Sequence, residues 1–221
     1  MTAIPSKTGD SPAKKWIPLL ILGILGTFGV IAIYFFIPGH QSIDVLLMFV
    51  IVGLSTVGYA RGIVAGALTI VFLYIATGIA AIFYQTITPY VGGIQQVLLF
   101  NLDASRGETV NRSSMALSFS LLTMVVWIIL QVASRVLVGN TRLLTIGILD
   151  NIGGIFVHVI IGVLVASLLF NAIGYGRSRS VHDRAKLRRT FNQVLYVHYT
   201  AQSFWFPGRP PPIYTYDLNV R

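Results

Sequence analysis

IDVLLMFVIVGLSTVGYA, residues 43–60, and IVAGALTIVFLYIATGIAAIFY, residues 63–84, are separated by only Arg61 and Gly62. Each run is close to the roughly 20 helical residues that cross the hydrocarbon of a bilayer. Two crossings joined by so little chain must turn back on one another as an antiparallel hairpin, because lipid offers no hydrogen-bond partner to irregular backbone. Gly58, Gly62 and Gly66 recur at four-residue spacing through the turn, marking where backbones are expected to approach closely. Arg61 is the sole charge in the turn, placed where a guanidinium reaches headgroup phosphates and water.

The rest of the composition agrees with that solvent. The chain has 221 residues, 55% of them hydrophobic and only 10% charged, which places it outside the soluble range. It contains no cysteine, so disulfides, thiolate metal sites, iron–sulfur clusters and a cysteine nucleophile are all excluded. The formal charge of +9 is concentrated at the two ends of the chain. In a membrane protein that pattern reflects topology and anionic lipid headgroups, not nucleic acid.

Residues 1–15 read as a polar basic tail, with Lys7, Lys14 and Lys15 against Asp10. Residues 16–37 are too long for a signal-peptide core and lack a small-x-small cleavage site, so they read as an uncleaved first transmembrane helix. Its Gly23, Gly26 and Gly29 are expected to form a small-residue packing face. After a turn at 38–42, Asp44 falls in the first turn of the next helix. There it either favours the helix N-terminus through the dipole or marks a functional carboxylate. Past the hairpin, Gln85–Arg112 reads as a longer connection, opened by Thr86-Ile87-Thr88-Pro89. It carries an apolar patch at 97–100 that is expected to lie at the interface, then a solvated stretch with Asp103, Arg106, Glu108 and Arg112. A fourth helix is expected at about 115–138, with Trp127, Gln131 and Arg135, broken by Gly139-Asn140. Residues 142–150 read as an amphipathic linker. A fifth helix, about 152–175, carries Gly153, Gly154, Gly162 and His158.

Beyond Tyr175 the chain is a basic, aromatic and proline-rich tail, 176–221. Arg177, Arg179, Arg184, Lys186, Arg188 and Arg189 face a single Asp183. Leu187, Phe191, Val194, Leu195 and His198 then recur at helical spacing and predict a basic amphipathic helix. Phe204-Trp205-Phe206 and the prolines that follow favour an extended chain lying on membrane or on another protein. The fold expected is therefore all-α and polytopic, with five transmembrane helices. Lys7, Lys14, Lys15, Arg61, Arg135 and Arg142 fall on one side under the positive-inside rule, which puts the amino end in the cytoplasm.

The hinge, with Asp44 near a helix start and Gly58-x-x-Arg61-Gly62 at the turn, resembles the CvpA family of bacterial inner-membrane proteins. Leu149-Asp150 followed by Gly154 and Gly162 is similar to that family's Leu-Asp-Arg-x-x-Gly-x-x-x-Gly-x-x-x-Gly stretch, and the resemblance spans about 43–175. It implies a four-helix core in the inner membrane, with Asp44 and Asp150 as the family-motif acidic residues. It also implies an association with colicin V production, hence toxin production, and with envelope homeostasis. No catalytic residues come with the family. Asn151, His158 and Ile161 stand where it often has arginine, glycine and arginine.

Of the individual residues, His158 is the sharpest. A neutral imidazole inside a membrane helix is either packed and hydrogen-bonded or a ligand, and a tetrapyrrole or pigment is the open alternative to no cofactor at all. No nucleotide, zinc, triad or paired-carboxylate motif appears, so the expectation is a protein that is not an enzyme. A non-catalytic envelope protein is the first reading. The second is an accessory subunit of a larger, energy-transducing membrane complex, docked through glycine faces and the tail residues Phe204, Trp205 and Phe206. The third is a small homo-oligomeric channel or transporter. The partners expected are membrane lipids with anionic headgroups, together with other membrane subunits or further copies of the chain, and not nucleic acid.

Overall fold

The structure, a computed structural model, describes residues 12–98, 107–137, 147–174 and 182–202. Among these it is all-α. In chain order the elements are α1 (Pro12–Phe36), α2 (Ser42–Leu98), α3 (Gly107–Leu137), α4 (Gly147–Gly174) and α5 (Arg188–Gln202).

α2 decides the architecture. Its apolar part, Ser42–Gly92, runs for 51 residues, about 77 Å if straight and more than twice the thickness of a bilayer's hydrocarbon. It is not straight. Gly62 has φ 79° and ψ 175°, a conformation that breaks the helix into two limbs and that is open essentially to glycine alone. Contacts with α4 show that the limbs run in opposite directions. Along the first limb, Leu47 packs with Ala166 and Phe170, Ile51 meets Gly162, Gly58 meets Gly154, and Gly62 meets Asp150. Along the second limb the order reverses: Gly66 meets Val157 and His158, and Leu73 packs with Leu168. The two limbs thus line one helix, α4, which they bury from both sides. With Ile17–Phe36, Ser114–Arg135 and Leu149–Ile173 as further apolar spans, the chain is a five-crossing membrane protein.

Burial ranks the helices. In α4, 39% of the apolar window is buried, whereas in α1 the figure is 6%, so α4 is the axis of the bundle and α1 its outermost member. α1 touches the first limb of α2 through Gly26, where an added Cβ would come 2.5 Å from Val52, and more loosely through Gly23 near Thr56. Gly29 faces open space, so the expected three-glycine face uses two of its members. Leu20, Leu25, Phe28, Phe35 and Phe36 remain exposed on α1, as a lipid-facing helix requires.

Two expectations are corrected. The connection predicted at Gln85–Arg112 is helical wherever it is described: α2 continues to Leu98 through Pro89, and α3 begins at Gly107. Thr-Pro is a turn signal in water, but membrane helices tolerate proline when local hydroxyls satisfy the freed backbone. Thr88 Oγ1 donates to the Tyr84 carbonyl at 2.8 Å, beside the Gln85 carbonyl that Pro89 leaves without its helical donor. The interfacial patch expected at 97–100 is helical at 97–98; residues 99 and 100 lie outside the described residues, as do Asp103 and Arg106. The linker expected at 142–150 is helical from Gly147, and residues 138–146 lie outside.

Candidate functional site

The turn in α2 is built against the start of α4. Gly58 and Gly154 approach reciprocally: a Cβ on Gly58 would lie 2.5 Å from the Gly154 carbonyl oxygen, and a Cβ on Gly154 would collide with the Gly58 carbonyl and the Gly62 backbone. Because backbone stands on both sides, no side-chain rotation could relieve either clash. Gly62 itself is held by Asp150. The Asp150 carboxylate sits where a Gly62 Cβ would go, and its Oδ1 accepts the Ile63 N–H at 2.9 Å. Ile63 opens the second limb, so Asp150 caps a helix start whose first N–H groups have no intrahelical acceptor. Arg61, on the other side of Gly62, donates from a guanidinium nitrogen to Gln131 Oε1 at 3.4 Å, and the Gln131 amide donates to Thr69 Oγ1 at 2.9 Å. That short chain ties the hinge to α3.

His158 lies one turn further into the bundle, 1% exposed. Its ring occupies the space that Gly58 and Gly66 leave between the two limbs: a Cβ on Gly58 would lie 2.6 Å from His158 Cβ, and one on Gly66 would lie 3.0 Å from Nδ1. Nδ1 is 3.0 Å from the Gly154 carbonyl, which makes it the protonated nitrogen in the neutral ring. Nε2 has no partner among the described residues. The imidazole is thus enclosed by the two hairpin limbs and hydrogen-bonded through one of its nitrogens. No group of three His, Asp or Glu side chains that could hold a metal occurs among the described residues.

The opposite end of the bundle is organised by Asp44, which is fully buried. Its Oδ2 accepts the Gln41 N–H at 2.9 Å and the Lys186 N–H at 3.0 Å, and its Oδ1 accepts the Leu187 N–H at 3.1 Å. The first bond is one half of a capping box at the start of α2, while the Asp44 N–H donates to the Gln41 backbone carbonyl at 2.9 Å. The other two carboxylate bonds fasten the entrance of α5, which begins at Arg188. α5 then lies back along the bundle, its apolar face covered by this chain's own helices. Phe191 packs on Phe170, with ring centroids 5.3 Å apart, and Leu195 joins the cluster around Leu73 and Tyr84. His198 Nε2 lies 3.0 Å from Thr77 Oγ1, and Gln202 donates to Thr77 Oγ1 and to the Tyr74 carbonyl. The predicted amphipathic helix is thus present and docked. Arg184, Lys186 and Arg189 stay exposed at its start, while Arg188 lies 3.6 Å from the Asp183 carboxylate.

The structure brings Gly58, Arg61, Gly62, Gly66, Asp150, Gly154 and His158 together at the hinge. Gly162 lies further along α4, where an added Cβ would meet Ile51 Cα at 2.9 Å, and Asp44 sits at the far end. Arg177, Arg179, Phe204, Trp205 and Phe206 lie outside the described residues. Trp127, Gln131 and Arg135 were read from the sequence without being assigned a common face. Thr123, Trp127, Gln131 and Arg135 fall at four-residue spacing on α3. That is one face of a helix, a signal available in the sequence. Thr69, Ser118 and Ser167 were harder to see, and each simply donates to a carbonyl one turn back in its own helix.

A family model described as "Colicin V production protein" matches residues 43–195. That range reaches past α4 into α5, further than the expected 43–175. No curated protein and no solved structure gives a significant match.

Proposed function

The chain belongs to the colicin V production protein family, and from that premise we propose that it is a non-catalytic protein of the bacterial inner membrane. Its role is to support colicin V production and envelope homeostasis. The observation that supports this reading is the use made of its two buried or half-buried membrane-level carboxylates. Asp44 and Asp150 both accept backbone N–H groups and hold helices in place, an assignment that suits a scaffold. The amino end and the hinge face the cytoplasm in this reading. Arg61 and Arg135 lie at the hinge end of the bundle, and α1 approaches that same end as it runs back from Gly26 to Gly23.

The test is secretion of colicin V by a host lacking this protein, read as the killing zone on a sensitive lawn. Loss of the zone, restored by the wild-type chain and not by Gly154→Leu, supports the reading. An unchanged zone in the deletion strain contradicts it.

An accessory role in a larger membrane complex is supported by α1, whose large apolar residues are exposed along its length. In that case native electrophoresis from mild detergent gives a particle well above the 24.2 kDa chain. A channel role draws on the interior polar groups. Ion flux in liposomes containing the purified protein separates it from both scaffold readings.

A further inference from the structure

We propose that Arg61 and Arg135, held on two different helices at the hinge end of the bundle, form a binding site for a phosphate-bearing anion. Arg61 ends the first limb of α2, and Arg135 lies in the last turn of α3. Arg61 reaches across to Gln131 of α3, one helical turn before Arg135 on the same face, and this brings the two arginines to one place. Like charges held together in a partly desolvated place need a counter-charge, and the described residues supply too little. The chain's seven acidic residues are few. Asp44 and Asp183 belong to the opposite end, and Glu108 starts α3, also at that end. Asp150 is the described carboxylate at the hinge, and it is occupied by the Ile63 N–H and pressed against Gly62. Neither arginine is in an ion pair among the described residues.

Helix ends do not close the gap. The first limb and α3 end here, while α1, the second limb and α4 begin here, so the positive helix N-termini are in excess of the negative C-termini. Among the described residues, two guanidiniums then stand against one carboxylate and positive charge is left uncompensated.

The geometry is also prepared for a ligand. Gln131 accepts from Arg61 while its amide is pinned to Thr69, so Arg61 is oriented by one bond. Four of its five N–H donors remain for an acceptor. A planar guanidinium fork with a second one beside it matches phosphate oxygens better than any neutral group. The hinge lies at the end of the apolar span, so the phosphate could come from a lipid headgroup or from solution. The site stands apart from the role proposed above, since it needs only the hinge geometry.

The experiment uses the full-length protein in detergent, measured by native mass spectrometry and thermal unfolding. Two probes are offered: inorganic phosphate, and mixed micelles of phosphatidylcholine with or without phosphatidylglycerol. Arg61→Gln/Arg135→Gln is the test variant, with Arg184→Gln/Arg189→Gln as the control for the basic tail. Because Arg61 is half-buried, Arg135→Gln alone, at an exposed position, serves as the variant that keeps the fold.

Retention of phosphatidylglycerol that falls about tenfold or more in the test variant and not in the control assigns a lipid phosphate, the size expected for lost charge-assisted bonds. Stabilisation by inorganic phosphate, absent in the test variant, assigns a free anion. Equal retention and equal stabilisation in wild type, Arg135→Gln and the double variant overturn the site. So does a loss confined to the tail control.

Discussion

Asp44 and Asp150 occupy matching places, each in the first turn of a membrane helix, yet they close opposite ends of the bundle in different ways. Asp44 is fully buried and accepts three backbone N–H groups, two of them 142 or more residues away in the chain. Asp150 is half-buried and accepts one. At Asp150's end the close fit comes instead from backbone against backbone, Gly58 on Gly154, with the carboxylate as a cap on the turn. The difference teaches that the same residue type carries the structure where glycine cannot and assists it where glycine can. Among the described residues the far end has no glycine contact of that kind and relies on charge-assisted hydrogen bonds.

The comparison is broken most forcefully at Asp44. Asp44→Ala leaves three part-buried N–H groups without that acceptor, and bonds to a charged group contribute about 1.5–3 kcal/mol each. A loss of about 3–5 kcal/mol is expected, with α5 released first. Rapid protease cleavage within 186–202, while the hairpin remains protected, is the measurement. Uniform cleavage throughout would instead show that Asp44 holds the whole bundle.

Next comes Gly62→Ala. The positive φ costs about 1–3 kcal/mol in any residue with a Cβ, and the added methyl meets the Asp150 carboxylate. Thermal unfolding in detergent should show a clear drop. Combining it with Asp150→Ala should cost less than the sum of the two, because the second change removes the clash.

Asp150→Ala alone removes one cap and should lower stability by about 1 kcal/mol, well under the Asp44 value. If the two aspartates score alike, the contrast between the ends disappears. Gly29→Ala, on the open side of α1, should change stability by less than about 0.5 kcal/mol.

Much of this was legible in the sequence, for a physical reason. The hairpin follows from apolar length and from a glycine spacing that lipid makes obligatory, and Gly58, Gly62, Gly66 and Gly154 meet as that spacing suggests. The pairing of Asp44 with Lys186 and Leu187 was not legible. A backbone N–H carries no mark in the sequence, and only the fold brings it to a carboxylate so far away. α5 was legible as an amphipathic helix but not as a docked one, because Phe191 and Leu195 would suit lipid as well as they suit Phe170 and Tyr84. Pro89 misled because a rule for chains in water was applied to a chain in lipid. His158 was legible as a residue inside a membrane helix, yet the room made for it by Gly58 and Gly66 comes from two limbs whose register the sequence does not state.

The central claim, that α2 turns at Gly62 and lines α4 with both limbs, has a direct measurement. The chain contains no cysteine, so pairs can be introduced on a clean background: Leu47→Cys with Ala166→Cys, and Leu73→Cys with Leu168→Cys. A short bifunctional maleimide should bridge both pairs in membranes. Leu47 and Leu73 would be about 39 Å apart on a straight helix, while Ala166 and Leu168 are about 3 Å apart along α4, so bridging of one pair and not the other would contradict the hairpin.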